Sequence, residues 1–394
     1  MSVYILATLD TKGREAAFVR DQLAALGVAA KLVDTGCLGE PVVAADVPRE
    51  QVFAAAGTTY QEILARRDRG EAVAAAAAGA ARLVTDWHAA DLLTGVIGLG
   101  GSAGTTIGTA AMRALPIGVP KLMVSTHASG QTRPYVGDKD VMMLYPIVDV
   151  SGINRISRLV LTNAARAMAG MTSLGTAPVA APDDRPLVAA SMFGVTTPCV
   201  ERARALLEAA GCEVLVFHAT GAGGKAMESL IAEGLIAGVL DVTTTELADE
   251  AFGGILSAGP ERLTVAGKLG VPQVISVGAL DMINFGAPET VPAKFKDRRF
   301  YHHNSTVTLM RTTPDENAAL GEELATKAAA ATGPTKIVLP LQGVSAIDRD
   351  GQPFDDPAAR ATLFDAIRRR SPAGLVVERD EHINDPAFAD ALAA

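Results

Sequence analysis

Gly98-Leu99-Gly100-Gly101-Ser102-Ala103-Gly104-Thr105-Thr106 follows the apolar run Leu92 to Leu99 and opens a helical pattern that breaks before Pro116. A buried strand, a glycine turn and a helix, in that order, start a parallel βαβ unit, and this decides the fold class. Glycines at such a turn let the backbone approach an anion, and the free N–H groups of the helix start point at it. Ser102, Thr105 and Thr106 add hydroxyls. No Gly-Lys-Ser/Thr follows, so the turn is not a Walker A loop. Gly98 to Ala103 fits G-x-G-x-x-A, but the next strand, Lys121 to Val124, ends in Ser125-Thr126 with no acidic residue for a ribose hydroxyl. That favours a mononucleotide or another phosphate over NAD.

Working outward, Val3 to Asp10 reads as a buried strand entering a polar turn with Thr11 and Gly13. Arg14 to Leu26 has helical spacing and Gly27 stops it. Ala30 to Val33 is a strand, Pro48 to Ala81 is mostly helical, and Ile153 to Met171 is a helix. Gly175 to Pro186 is small, proline-rich and linker-like. It divides the chain into domains over 1–178 and 186–394. Leu187 to Gly194, Cys199 to Ala210, Glu213 to Phe217, Ile236 to Leu240 and Gly270 to Ser276 then repeat the style of the first half in the same order. Ile337-Val338-Leu339 and Leu375-Val376-Val377 add strands. The expected architecture is α/β: two Rossmann-like three-layer domains, diverged copies of one module, with mainly parallel sheets and a ligand cleft between them.

Composition agrees with this class. The 394 residues are 49% hydrophobic and only 4% aromatic, with 38 glycines, so the chain is neither disordered nor built to stack on single-stranded nucleic acid. A net charge of −9 gives no general field for a polyanion, which excludes nucleic acid as an expected partner. Cys37, Cys199 and Cys212 are scattered, without metal-ligand spacing, and fit a reduced cytoplasmic setting. The N-terminus lacks a signal-peptide pattern, and no apolar run is long enough for a membrane span.

Polar clusters fall at predicted strand ends, where open α/β sheets bind ligands. Asp10, Thr11 and Lys12 bring a carboxylate, a hydroxyl and an ammonium to the first; Lys12 suits a phosphate, and Asp10 a magnesium ion or a ribose. Ser125 to Gly130 is rich in hydroxyls and includes Ser129. Gly221, Gly223, Gly224 and Lys225 form a second candidate anion cradle, because a lysine at a helix start opposes the helix dipole unless an anion lies between. Thr243, Thr244 and Thr245 can fix a carboxylate or phosphate, and Glu246 can act as a general base or metal ligand; alternatively Thr245 is an N-cap with Glu246 in the first turn of its helix. In the basic patch Arg298 to Asn304, Arg299 can clamp an anion and His303 can exchange protons near neutral pH.

Taken together, TLDTK, GLGGSAGTT, STHASG, HATGAGGKAME, LDVTTTE, GALDMINFG and HHNSTVTLMRTT resemble a bacterial and fungal family similar to the N-terminal ATP-binding region of the tomato mosaic virus resistance protein. The likeness runs from Tyr4 to Phe388. It implies two Rossmann-like domains, a homodimer or higher homo-oligomer, and ATP with Mg2+ in the first domain. By motif the triphosphate falls to Gly100, Gly101, Ser102, Gly104, Thr105 and Thr106, with Asp10, Thr11, Lys12, Ser129 and Gly130 lining the same site. The resulting expectation is an ATP-dependent enzyme acting on a small anionic molecule in the inter-domain cleft. Lys12, Lys225, Glu246 and His303 would carry the chemistry. Gly221, Gly223, Gly224, Lys225, Thr243, Thr244, Thr245, Arg299 and Asn304 would bind the substrate. Two alternatives are a non-catalytic, nucleotide-gated protein with a protein partner, and a metal-dependent hydrolase that needs Asp241, Glu246 and His303 to converge.

Overall fold

The computed structural model describes residues 1–37, 39–173 and 184–394. Most of the expected linker, residues 175–183, lies outside them. The chain forms two compact units, Met1–Pro182 and Asp183–Ala394.

In unit 1, β1 (Ser2–Ala7), β2 (Ala30–Asp34), β3 (Leu93–Gly100), β4 (Lys121–Ser125) and β5 (Met142–Leu144) form one parallel sheet in the order β2-β1-β3-β4-β5. The strands are apolar because both faces are covered. Val3 and Ile5 face α1 (Leu9–Ala25) and the later α7 (Arg155–Ser173). Tyr4 and Leu6 face the layer of α2 (Arg49–Ala55), α3 (Tyr60–Arg66), α4 (Arg69–Ala89) and α5 (Ser102–Arg113). The short α6 (Arg133–Val136) precedes β5. Gly79 brings α4 close to α2: a Cβ there would lie 1.9 Å from the Val52 carbonyl oxygen.

Two boundaries depart from the sequence reading. Helix α1 starts at Leu9, directly after β1, so Asp10, Thr11 and Lys12 form its first turn rather than a loop. The glycines at 223 and 224 are likewise inside a helix, α9 below. In both cases polar or glycine residues at a helix start were read as a turn.

Unit 2 repeats the topology. Strands β6 (Leu187–Met192), β7 (Glu213–His218), β8 (Gly238–Thr243), β9 (Gln273–Gly278), β13 (Thr335–Pro340) and β14 (Val376–Arg379) are parallel, in the order β7-β6-β8-β9-β13-β14. One face packs on α8 (Thr197–Ala209) and α14 (Pro386–Ala393). The other packs on α9 (Ala222–Ala232), α10 (Thr245–Phe252), α11 (Val265–Leu269), α12 (Pro314–Ala329) and α13 (Pro357–Arg370). An antiparallel sheet of β10 (Met282–Phe285), β12 (Val307–Arg311) and β11 (Phe300–Asn304) is added to this layer. The expectation of two α/β domains with mainly parallel, Rossmann-like sheets therefore holds. No helix among the described residues is long and apolar enough to cross a membrane.

Candidate functional site

Strand order places the topological switch of unit 1 between β1 and β3, where connections leave in opposite directions and open a crevice. A cavity of about 320 Å³ lies there. Its walls include Asp10, Thr11 and Lys12 from the start of α1, Gly101, Ser102 and Gly104 from the start of α5, and Arg69 from the start of α4. The glycines have separate jobs. A Cβ on Gly100 would lie 2.7 Å from the Cα of Gly104, so these two permit close strand–helix packing. Gly101 is open: a Cβ there would meet only Thr126 Oγ1, at 3.8 Å. Gly101 also gives α5 no side-chain cap, which leaves the N–H groups of its first turn available.

Lys12 and Arg69 have no ion pair among the described residues. Asp10 is fixed by the N–H of Gly39, which donates to Oδ2 at 3.0 Å. That loop is pinned from below by a buried pair: Arg49 Nε donates to Asp34 Oδ2 at 2.7 Å, and Arg49 Nη1 donates to the Gly39 carbonyl at 2.6 Å. Cys37 also lines the cavity, and burial, then the charge of Asp10, pushes its thiol up to about 11. Among the described residues no three His, Cys, Asp or Glu side chains group to hold a metal by themselves. Asp10 and Asp149 nevertheless both border the cavity.

Some predicted members lie elsewhere. Thr105 is buried, its hydroxyl shared with the Gly101 carbonyl and Ser125 Oγ, both at 2.6 Å. Thr106 donates back to the Ser102 carbonyl at 3.0 Å. These two hydroxyls serve the helix and strand. Ser129 and Gly130 line a different hollow, of about 430 Å³, with His127 and Tyr135. Arg69 and Asp149 were not anticipated; Arg69 sits in an ordinary run of surface charge, and Asp149 in an irregular segment, so neither carried a signal.

The second anion cradle is filled from within. The N–H groups of Gly221 and Gly224 donate to Glu246 Oε1 at 2.6 and 3.1 Å. Glu246 is 0% exposed and is not a free base; it does lie in the first turn of its helix, whose N-cap is Thr244 rather than Thr245. Its other oxygen accepts from Arg262 Nε at 2.7 Å, and Arg262 grips Asp241 with both Nη groups at 2.5 and 2.7 Å. Asp241 and Glu246 thus converge on a guanidinium, while His303 stands exposed on β11, so the hydrolase constellation is not assembled. The glycines follow from this packing: a Cβ on Gly224 would lie 2.2 Å from Glu246 Oε2, and one on Gly223 2.0 Å from the His218 carbonyl oxygen. Lys225 is exposed and has no ion pair among the described residues.

The three threonines are also consumed. Thr243 bonds to Thr196 Oγ1 at 2.8 Å, Thr244 donates to the Ser276 carbonyl at 3.1 Å, and Thr245 accepts from Asn284 at 3.2 Å. Each is fully buried. Arg299 donates to the Asp355 carbonyl at 3.1 Å, and Asn304 accepts from Thr306 in a hairpin turn. The predicted substrate set of unit 2 is therefore dispersed into the fold. Arg262, its hub, was missed because one arginine in Gly259-Pro260-Glu261-Arg262 looks like any surface charge.

Comparison with known proteins agrees with both units. Residues 1–177 match the N-terminal domain, and residues 185–394 the C-terminal domain, of the uncharacterised protein family UPF0261. A UPF0261 protein of Clostridium tetani is 47% identical over 395 residues, covering 99% of this chain and 97% of that protein. One from Mesorhizobium japonicum is 45% identical over 396 residues, covering 100% and 98%. The ToMV resistance protein Tm-1(GCR237) of Solanum lycopersicum is 44% identical over 313 residues, covering 76% of this chain but 41% of that longer protein. A UDP-N-acetylglucosamine 2-epimerase structure from Rickettsia bellii aligns at a TM-score of 0.24 and 8% identity, over 70% of this chain and 78% of that one, too slight a likeness to bear on function. End-to-end identity with the bacterial proteins, and a match in each unit, make this chain a member of the UPF0261 family.

Proposed function

We propose that unit 1 binds ATP with Mg2+ in the cavity at α5 and that the protein uses it on a small anionic substrate. One observation carries this reading: the uncapped start of α5 meets two cations without ion pairs among the described residues, Lys12 and Arg69, at one sheet edge. The phosphates would lie against the N–H groups of residues 102–104. Lys12 would act as a point charge and Arg69 as a bidentate fork. Mg2+ needs only one or two carboxylates beside phosphate and water, and Asp10 with Asp149 can supply them. The resemblance to an ATP-binding region supports the choice of nucleotide. Phosphoryl transfer depends chiefly on positioning and electrostatics, so Lys12 would neutralise charge as it moves.

The test is calorimetry on the full chain with Mg-ATP. Saturable binding is expected, weakened about tenfold or more by Lys12→Ala and by Arg69→Ala. No saturable binding would overturn the reading. Labelled ATP with cell extract should then yield a phosphorylated or adenylated small acid. A nucleotide-gated protein without turnover is the second reading. It is supported by the thiol of Cys37, which burial and then Asp10 push up to about 11, so that this thiol is not an activated nucleophile. Tight ATP binding with no product and a captured partner protein would select it.

A further inference from the structure

Unit 2 has a cavity of its own that the ATP reading does not use. Antiparallel pairing sets Thr308 opposite Phe285 and His302, and Met310 opposite Phe300. The pleat therefore puts Phe285, Phe300, His302 and Thr308 on one face of the small sheet. Residues 288–295 cross that face as two short 3-10 turns. They are held there by Phe295 on Phe285, with ring centroids 5.6 Å apart, and by the neighbouring Arg298, which donates to both oxygens of Glu316 at 2.8 and 2.5 Å. Between segment and sheet lies a cavity of about 270 Å³.

Its walls are of two kinds. Pro288, Val291, Pro292 and Phe300 are apolar, and Lys296, His302 and Thr308 are not. Lys296 and His302 are exposed, and neither has a side-chain hydrogen bond or ion pair among the described residues. Thr308 is fully buried, and its Oγ1 has no hydrogen-bond partner among the described residues. A buried hydroxyl left unmatched is destabilising, so valine would be the better residue if packing were all that mattered here.

We propose that this cavity binds a small monocarboxylate with a compact apolar body, about the bulk of a phenyl ring. The body packs on the two prolines, Val291 and Phe300. The carboxylate meets Lys296 and His302 at the rim, and Thr308 Oγ1 supplies a hydrogen bond from the wall.

The experiment is a titration of the full-length, isotope-labelled protein with benzoate, followed by amide NMR shifts, with benzyl alcohol as an uncharged analogue of similar size. Saturable benzoate binding is expected, with shifts confined to residues 288–308 and benzyl alcohol weaker by about tenfold or more. Lys296→Ala should weaken benzoate about fivefold or more. Thr308→Val should weaken it severalfold while leaving the urea midpoint the same or higher. Absence of saturable binding at millimolar benzoate, shifts centred elsewhere, equal affinity for benzyl alcohol, or indifference to Lys296→Ala would each overturn the proposal. A Thr308→Val protein of lower stability and unchanged affinity would remove Thr308 from the site and assign its hydroxyl to the fold.

Discussion

Gly101 and Gly224 both stand at helix starts, yet a side chain would act on them in opposite ways. Gly101 has φ −85° and open space around its missing Cβ, so Gly101→Asp keeps the fold and sets a carboxylate where the phosphates are proposed to lie. We expect Mg-ATP affinity by calorimetry to fall at least about 100-fold, since like charges at close quarters cost several kcal/mol, with the thermal midpoint nearly unchanged. Unchanged affinity would remove the phosphate assignment. Gly224 is the reverse case, a glycine demanded by the carboxylate packed on it. The same cluster gives a second residue-level prediction. Arg262→Met strips two buried carboxylates, Asp241 and Glu246, of their partner and should lower stability by about 3–5 kcal/mol in urea denaturation. Arg262→Lys should recover only part, because an ammonium cannot reproduce the planar fork that grips both.

At the scale of elements, α10 is tied to β10 by Asp249. Its Oδ1 and Oδ2 accept from the Asn284 backbone N–H and side-chain amide at 2.6 and 2.8 Å. Burial raises this carboxyl to about 7 against those hydrogen bonds, with Glu246 adding to the rise. The folded protein then holds a proton that the unfolded chain releases in the ordinary carboxylate range. The associated stability is full in acid and is lost as pH climbs from about 4 to 7. His382, which burial keeps from protonating, works the other way as pH falls through its ordinary range. On acidification through this window the urea midpoint should therefore rise less, or fall further, in Asp249→Asn than in the parent; identical profiles would show that Asp249 ionises normally. Element existence was legible in the sequence wherever strands were apolar and helices closed on glycine, as at β3, β4 and α1. The starts of α1 and α9 were not, since a polar first turn looks the same whether it caps a helix or forms a loop. The antiparallel sheet was missed outright, because His302 and His303 suggested chemistry and hid a strand.

For the whole molecule, two sheets share the order 2-1-3-4, extended by one strand in unit 1 and two in unit 2. The sequence announced this duplication through the order of its motifs, although paired residues are rarely alike. Fold and loops were readable because glycine and apolar patterning are local signals. The fate of each polar cluster was not, because whether a threonine faces ligand or core depends on neighbours far along the chain, as with Thr243 and Thr196. If ATP binds as proposed, hydrogen exchange on the full chain should slow at residues 8–12, 69–73 and 101–106 on adding Mg-ATP. The amides of β6 to β9 should exchange at unchanged rates; protection centred there instead would place the nucleotide in the wrong unit.

Glu246 at the start of α9 has a consequence for how the two halves answer to their surroundings. A tethered carboxylate competes with solutes at an effective concentration that free anions rarely match. The start of α9 is in that sense permanently loaded: it needs no solute to be satisfied, and anions added in crystallisation should pass it by. Unit 1, with no such tenant at α5, gains stability by mass action whenever something occupies its cavity, so its lifetime would track supply.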